Sequence, residues 1–216
     1  MTHFHIITLF PESIEGYFNT SMLKRAQRDK KIKVSYYNPR DFTKDKHKRI
    51  DQKPYGGGPG MVLEAESVLK AARKAIGRKD LKDVEVIFFS PSGKQFEQKD
   101  AVRLAKKKKH IVFLCGHYEG IDARAVKILK AKSVSVGPFV LTGGELPATL
   151  VADAVTRNIE GVLGNAESLE DTRVASPEVY TRPEILKWKG KNHKVPKVLL
   201  SGHHAKIEEW KKGKKK

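Results

Sequence analysis

Short apolar runs alternate with amphipathic segments along most of the chain. Runs rich in β-branched and aromatic residues predict strands at Phe4–Phe10, Ile32–Asn38, Val84–Ser90, His110–Gly116 and Ser133–Gly137. Several of these runs are apolar at consecutive positions, which is typical of strands covered on both faces. The intervening segments have apolar residues at helical spacing and predict helices over Pro11–Arg28, Leu63–Ile76, Gln95–Lys109 and Ile121–Leu129. The alternation predicts an α/β domain with a mainly parallel sheet and helices on both faces.

The longest helical pattern, GGELPATLVADAVTRNIEGVLG, begins with two glycines followed by Glu145, whose charge favours the positive end of a helix. Beyond Gly164 the pattern gives way to a polar stretch, and SGHHAKIEEWKK predicts one last short basic helix. We therefore predict a domain over residues 1–163, a connector over 164–180 and a short basic C-terminal region over 181–216.

Charge changes this picture most. The 216 residues include 43 Lys and Arg against 25 Asp and Glu, a net charge of +18. Such an excess predicts a polyanionic partner, with nucleic acid ahead of a membrane surface, although a solubilising surface is the alternative. Residues 181–216 contain twelve basic and three acidic side chains, so half of the net charge lies there.

Candidate chemistry from cysteine and histidine is sparse. The single cysteine, Cys115, excludes an intramolecular disulfide and a cysteine-based metal cluster, and its apolar setting predicts a buried thiol. The adjacent His203 and His204 point apart on a helix or turn, so we expect no structural metal site. With no leader peptide and no apolar run of membrane length, we expect a cytoplasmic protein without membrane contact.

The stretch PYGGGPGM, residues 54–61, has four glycines that allow positive φ and close backbone approach. It fits neither nucleotide template, because no Gly-Lys-Ser/Thr follows and the G-x-G-x-x-G spacing breaks at Met61. A structural turn and a ligand loop are both open at this point.

Three predicted strands end in SPSGK, CGHYEGID and VGPFVLTGGE. In an open parallel sheet the ligand crevice lies outside the carboxyl ends of the strands. Three such loops would form a pocket walled by backbone groups, which suits adenine or a nucleoside. Ordinary turn chemistry is the alternative for each loop taken alone.

The chain resembles the bacterial tRNA (guanine-N1)-methyltransferases, the TrmD type of the SPOUT superfamily. The motifs that carry the resemblance are LFPE, NPRDFTKDKHKRID, PYGGGPGM, SPSGK, CGHYEGID, VLTGGELPA, YTRPE and LLSGHH, in that order from Leu9 to His204. The resemblance implies a SPOUT-type α/β fold with a deep C-terminal trefoil knot, a short truncated helical appendage, a homodimer and tRNA as substrate.

By the same resemblance, S-adenosylmethionine lies in the knot. The implied cofactor-binding residues are Ser90, Pro91, Gly93, Gly116, Tyr118, Glu119, Val136, Gly137, Pro138, Phe139, Val140, Leu141, Gly143 and Gly144. The implied substrate-binding residues are Tyr55, Gly57, Gly58, Pro59, Gly60, His203, Lys211 and Lys212.

The resemblance also implies three catalytic residues. Asp171 would take the proton from guanine N1, and Arg157 would stabilise the charge that develops on guanine O6. Glu119 would contact the guanine or an associated Mg²⁺ ion.

This chain departs from the family pattern at the cofactor loops. His117 stands where arginine is usual, which weakens any ion pair of that arginine, while Pro138 and Phe139 replace aspartate and tyrosine. The favoured function is methylation of N1 of the guanosine 3′-adjacent to the anticodon. The alternatives are a SPOUT methyltransferase acting on another RNA and a non-catalytic RNA-binding protein.

Overall fold

The chain divides into two compact units, residues 1–164 and 165–216. The structure is a computed structural model, and it describes residues 1–80, 82–163 and 178–213. In the first unit the helices and strands follow in the order β1 (Thr2–Ile7), α1 (Glu12–Phe18), α2 (Ser21–Arg28), β2 (Ile32–Tyr37), β3 (Asp51–Gln52), β4 (Val62–Leu63), α3 (Ala65–Ile76), β5 (Val84–Gln95), α4 (Gln98–Lys107), β6 (His110–Leu114), α5 (Ala123–Ile128), β7 (Lys132–Ser135) and α6 (Glu145–Arg157). A short 3₁₀ helix, Pro39–Phe42, follows β2.

A five-stranded sheet of order β2-β1-β6-β5-β7 lies at the centre of the first unit, and every pairing in it is parallel. One face packs against α1, α2, α4 and α6 through a cluster that includes Phe4, Phe18 and Phe113. The other face packs against α3 and α5, and its cluster includes Ile7 and Val112. The predicted α/β class, with a mainly parallel sheet covered on both faces, is therefore confirmed.

Cys115 ends the apolar run of β6 and is buried in the core, as predicted from its sequence setting. Burial, and secondarily the charge of Glu145, raises the pKa of its thiol well above the ordinary value. The neutral thiol is therefore a packing group.

Two predicted elements differ from the observed ones. The single helix predicted over Pro11–Arg28 is two helices, because Thr20 adopts an extended conformation between α1 and α2. Asn19 and Thr20 are short polar residues, which favour helix ends over helix interiors. The strand predicted over Val84–Ser90 continues to Gln95, because the SPSGK segment pairs with β7 after a register shift. The trefoil knot implied by the resemblance stays a prediction.

The second unit has a β-hairpin as well as helices, which corrects the expectation of a purely helical appendage. Strands β8 (Ile185–Trp188) and β9 (Lys191–Lys194) pair antiparallel, followed by α7 (Lys197–Leu200) and α8 (His204–Gly213). Lys189 and Gly190 both have positive φ, the conformation of a two-residue turn that matches strand twist. Lys-Gly is a weak turn signal, which explains why the hairpin was missed, whereas the last basic helix was predicted correctly. No helix in the described ranges is long and apolar enough to cross a membrane.

Candidate active site

A cavity of about 170 Å³ lies at the carboxyl ends of β5, β6 and β7. Its walls come from the three segments predicted to form a pocket: the SPSGK segment of β5, the loop after β6 and the loop between β7 and α6. The parallel order of the sheet causes this convergence, because the ends of neighbouring parallel strands lie at the same edge.

Most of the residues expected around the cofactor line this cavity. Those that do are Ser90, Pro91, Gly116, Tyr118, Glu119, Val136, Gly137, Phe139, Val140, Leu141, Gly143 and Gly144. Gly93 and Pro138 are absent from the lining: Gly93 packs against the backbone of β7, and Pro138 is exposed on the loop before α6. Apolar side chains of Phe88, Val134 and Pro147 complete the wall.

The loop after β6 and the start of α6 approach each other without intervening side chains. The Gly144 N–H donates to the Gly116 carbonyl at 3.0 Å, and His117 forms a bridge with Gly143. A Cβ on Gly144 would lie 2.5 Å from the Cα of Cys115, closer than real Cβ atoms come to backbone. Glycine is therefore required at this position by packing, and the cavity wall depends on it.

His117, which replaces the arginine usual in the family motif, lies beside a buried carboxylate. Its Nε2 is 2.8 Å from Oε2 of Glu145, and the Thr8 hydroxyl donates to Oε1 of the same carboxylate at 2.6 Å. Because an ionised carboxylate only accepts hydrogen bonds, Nε2 is the protonated ring nitrogen. The His117 ring also packs edge-on against Phe10. The sequence pointed to Glu145 only as a charge at a helix start, since its partners come from two distant loops.

The glycine-rich stretch lies directly beside the candidate catalytic Glu119. A Cβ on Gly60 would be 2.6 Å from a Glu119 carboxylate oxygen, and the Glu119 N–H donates to the Met61 carbonyl. Gly56, Gly57 and Gly58 all have positive φ. The opening question of turn against ligand loop thus has a geometric answer: the stretch is a loop between β3 and β4 that borders the cavity.

Arg157 lies apart from the cavity within one chain. It is exposed at the last turn of α6, next to a groove lined by Tyr17, Asp153 and Leu163, whereas the cavity is at the first turn. Thirteen residues at 1.5 Å rise separate the two ends of the helix by about 20 Å.

The remaining candidates lie elsewhere in the chain. Asp171 falls outside the described residues. In the second unit His203 precedes α8, and Lys211 and Lys212 are in its last turn. Tyr55 is fully exposed in the glycine-rich loop.

Comparison with known proteins identifies the relatives of this chain. Residues 2–216 match the family model of the tRNA (guanine-1)-methyltransferase TrmD. A tRNA (guanine-N(1)-)-methyltransferase of Campylobacter jejuni is 44% identical over 94% of this chain and 88% of its own length. Proteins with the same description from Dictyoglomus turgidum and Caldanaerobacter subterraneus are 44% and 46% identical over 98% of this chain, and over 84% and 86% of their own lengths.

The chain belongs to the tRNA (guanine-1)-methyltransferase family. Membership in the tRNA (guanine-1)-methyltransferase family makes the chain an enzyme of methyl transfer, which decides against the alternative of a non-catalytic RNA-binding protein. It also confirms the resemblance on which the site residues were expected, although the role of each residue stays a prediction.

The close approach of α6 to β6 predicts a strong asymmetry between two glycine-to-alanine substitutions. Gly144→Ala should lower the free energy of unfolding by roughly 1–3 kcal/mol, because the new methyl group overlaps backbone and the cavity wall must shift. Gly16→Ala is the matched control, since nothing lies within 4 Å of a Cβ at this helical position. Urea denaturation of both variants measures the difference. Equal stability of Gly144→Ala and the unmodified chain would contradict the packing argument.

Proposed function

We propose that this protein transfers the methyl group of S-adenosylmethionine to N1 of the guanosine 3′-adjacent to the anticodon in tRNA. The observation that carries the proposal is the cavity at the carboxyl ends of β5, β6 and β7 in a member of this family. It is lined by most of the residues expected from the family motifs, and the glycine-rich loop borders it through Glu119.

The lining fits the adenosine part of S-adenosylmethionine. Aromatic and aliphatic side chains such as Phe88, Val136 and Leu141 provide flat apolar walls, and the glycines expose backbone groups that pair with a base edge. The cavity of about 170 Å³ is smaller than a typical small-molecule pocket of roughly 300–1,000 Å³, so the rest of the cofactor would extend to its open side. The bound cofactor supplies an electrophilic methyl group on its sulfonium.

The protein side chains would supply the proton chemistry and the charge stabilisation. Guanine N1 carries a proton and is a poor nucleophile until the proton leaves, which is the role proposed for the Asp171 carboxylate. Negative charge then develops on guanine O6, and the guanidinium of Arg157 is suited to stabilise it. Glu119 lies beside the glycine-rich loop, where its carboxylate can contact the guanine or a Mg²⁺ ion.

The position of Arg157 supports a homodimer with shared sites. About 20 Å of helix separates it from the cavity of its own chain, so a second chain would have to supply the arginine. The surface of α6 and the loop before it offers an apolar face for such contact: Leu146 is 62% exposed, Leu150 46% and Val140 83%. A contiguous apolar patch of this kind marks an interaction surface. The homodimer and the cytoplasmic location stay predictions.

The proposed function is tested by incubating the protein with labelled S-adenosylmethionine and tRNA transcripts and mapping the methylated base. We expect N1-methylguanosine 3′ of the anticodon, and its loss when that guanosine is replaced by adenosine. In the same assay Asp171→Ala should lower the rate by about 10²–10⁴-fold, because a positioned base is lost.

Glu170→Ala is the matched control for Asp171→Ala, since it removes the neighbouring carboxylate of the same segment. Both variants should bind S-adenosylmethionine like the unmodified protein in calorimetry, because the cofactor cavity lies in the first unit. A methyl group at another base would refute the proposed target. Near-normal turnover by Asp171→Ala would remove this residue from the mechanism.

Heterodimers test whether Arg157 serves the partner's site. Arg157→Ala chains keep an intact cavity, whereas Val136→Trp chains have an indole in the cavity but an intact arginine. Each homodimer should be inactive, while the mixed dimer should regain up to half of the activity, because one of its two sites is complete. A purified mixed dimer that stays inactive counts against shared sites.

The basic C-terminal region should contribute affinity for tRNA and little base specificity, because flexible lysines neutralise phosphates without reading base edges. Glutamine at Lys211, Lys212 and the three following lysines should weaken tRNA binding and flatten its dependence on salt by roughly 0.7–0.9 in slope per lost phosphate contact. Glutamine at Lys106 and Lys107 of α4 is the control. An unchanged salt slope, or methylation of a different guanosine, would show that this account of the region is wrong.

A further inference from the structure

Three histidine rings gather at the amino ends of β1 and β6, at the edge of the sheet opposite the cavity. His3 and His5 are two residues apart on β1, so their side chains lie on one face, and His110 pairs with His3 in the register of β1 and β6. One ring nitrogen of each histidine lies within 4.8 Å of those of the other two. Among the residues that the structure describes, no other trio of His, Cys, Asp or Glu side chains is placed to hold a metal ion.

The spacing of the ring nitrogens is close to that of metal ligands. His5 Nε2 and His110 Nδ1 are 3.2 Å apart. Two nitrogens on a tetrahedral ion, each about 2.0–2.1 Å from it, are separated by roughly 3.3 Å. The His3 ring stacks on His5 with its centroid 3.8 Å away. His3 and His110 are only partly buried, so small rotations about their side-chain bonds can bring the third nitrogen to the same distance.

The outward nitrogens of two of the rings already have hydroxyl partners on β2. His5 Nδ1 is 3.2 Å from the Tyr37 hydroxyl, and His3 Nε2 is 2.9 Å from the Ser35 hydroxyl. Metal-binding histidines typically use their second nitrogen in this way, which fixes the ring and its tautomer. The hydroxyls therefore orient the rings before any ion is bound.

The protonation of the rings also suits a metal. Burial, with a smaller contribution from neighbouring charges, lowers the pKa of His5 to about 3 and that of His3 to about 4. The pKa of His110 is lowered in the same direction. All three rings are thus neutral at pH 7, and a neutral imidazole is the form that binds metal.

Charges around the cluster set a limit on its affinity. Lys33, Lys79 and Lys109 act on these histidines with positive charge, and Asp83 acts on His110 with negative charge. The Lys79 ammonium is held by the carbonyl oxygens of Ala75 and Ile76 at the end of α3. Excess positive charge opposes a dication, so we expect weaker binding than at a zinc site with charged ligands.

We propose that His3, His5 and His110 bind a divalent transition-metal ion, Zn²⁺ foremost, at a structural site remote from the methyl-transfer cavity. Three imidazoles with water in the fourth position form an established zinc coordination set, and imidazole ligands favour Zn²⁺, Cu²⁺ and Ni²⁺ over Mg²⁺. The ion would join β1, the first strand of the chain, to the central strand β6. The sequence signal for it was the spacing of two histidines within a predicted strand.

Co²⁺ titration of the untagged, metal-free protein tests the site, because tetrahedral Co²⁺ has an intense visible absorption. We expect one Co²⁺ per chain, displaced by Zn²⁺, and a Zn²⁺-dependent rise in melting temperature. His3→Gln and His110→Gln should each weaken binding at least tenfold and abolish that rise. Both positions are only partly buried, so the variants should fold, which near-ultraviolet circular dichroism without metal checks.

His47→Gln is the matched control, because His47 is exposed on a loop of the same unit, and it should bind Co²⁺ like the unmodified protein. A second control carries glutamine at both His203 and His204. Absence of tetrahedral Co²⁺ binding, unchanged binding by folded His3→Gln and His110→Gln, or loss of binding in either control would each overturn the proposal.

Discussion

The contact between the start of α6 and the end of β6 determines the shape of the whole candidate site. Gly144 hydrogen-bonds to Gly116 and leaves no room for a Cβ above Cys115. Because the helix starts this close to the sheet, its first residue Glu145 is buried, and the loops on either side are held together. The cavity is the space that remains between these loops and the bulged end of β5.

Burial of acidic groups in so basic a chain follows the same logic. Glu145 is paired with His117 and Thr8, and Glu85 accepts from Arg103 and Lys132 at 3.1 and 2.7 Å. Although burial raises the pKa of Glu85, its hydrogen bonds to these cations hold it below the ordinary value. An unpartnered buried carboxylate would cost several kcal/mol. Each buried acid therefore fixes the position of the side chains that surround it, at the cavity in one case and between β5, β7 and α4 in the other.

Local patterns predicted the layers of the fold and the edge of the sheet where the site lies, because strand and helix periodicity and the parallel rule operate over short stretches. The partners of Glu145 could not be predicted, since Thr8, His117 and Glu145 are brought together only by the pairing of β1 with β6. The break at Thr20 and the turn at Lys189 were missed for a different reason: both depend on backbone conformations that these residues adopt without a distinctive sequence signal. The roles of Asp171 and Arg157 came from the family motifs alone.

The exposed rim of the cavity links cofactor binding to assembly. Tyr118, Phe139 and Val140 are all more than half exposed, although each also lines the cavity that would bind the adenosine. Removing such apolar side chains from water stabilises whatever covers them, by about 25 cal/mol for each Å² buried. A partner chain that covers this rim would also order the loops that line the cavity, so that the cofactor binds to a wall already in place. By linkage the cofactor must then favour the dimer to the same extent that the dimer favours the cofactor. The shared site thus makes assembly and catalysis parts of one equilibrium, with the two ends of α6 serving different cavities.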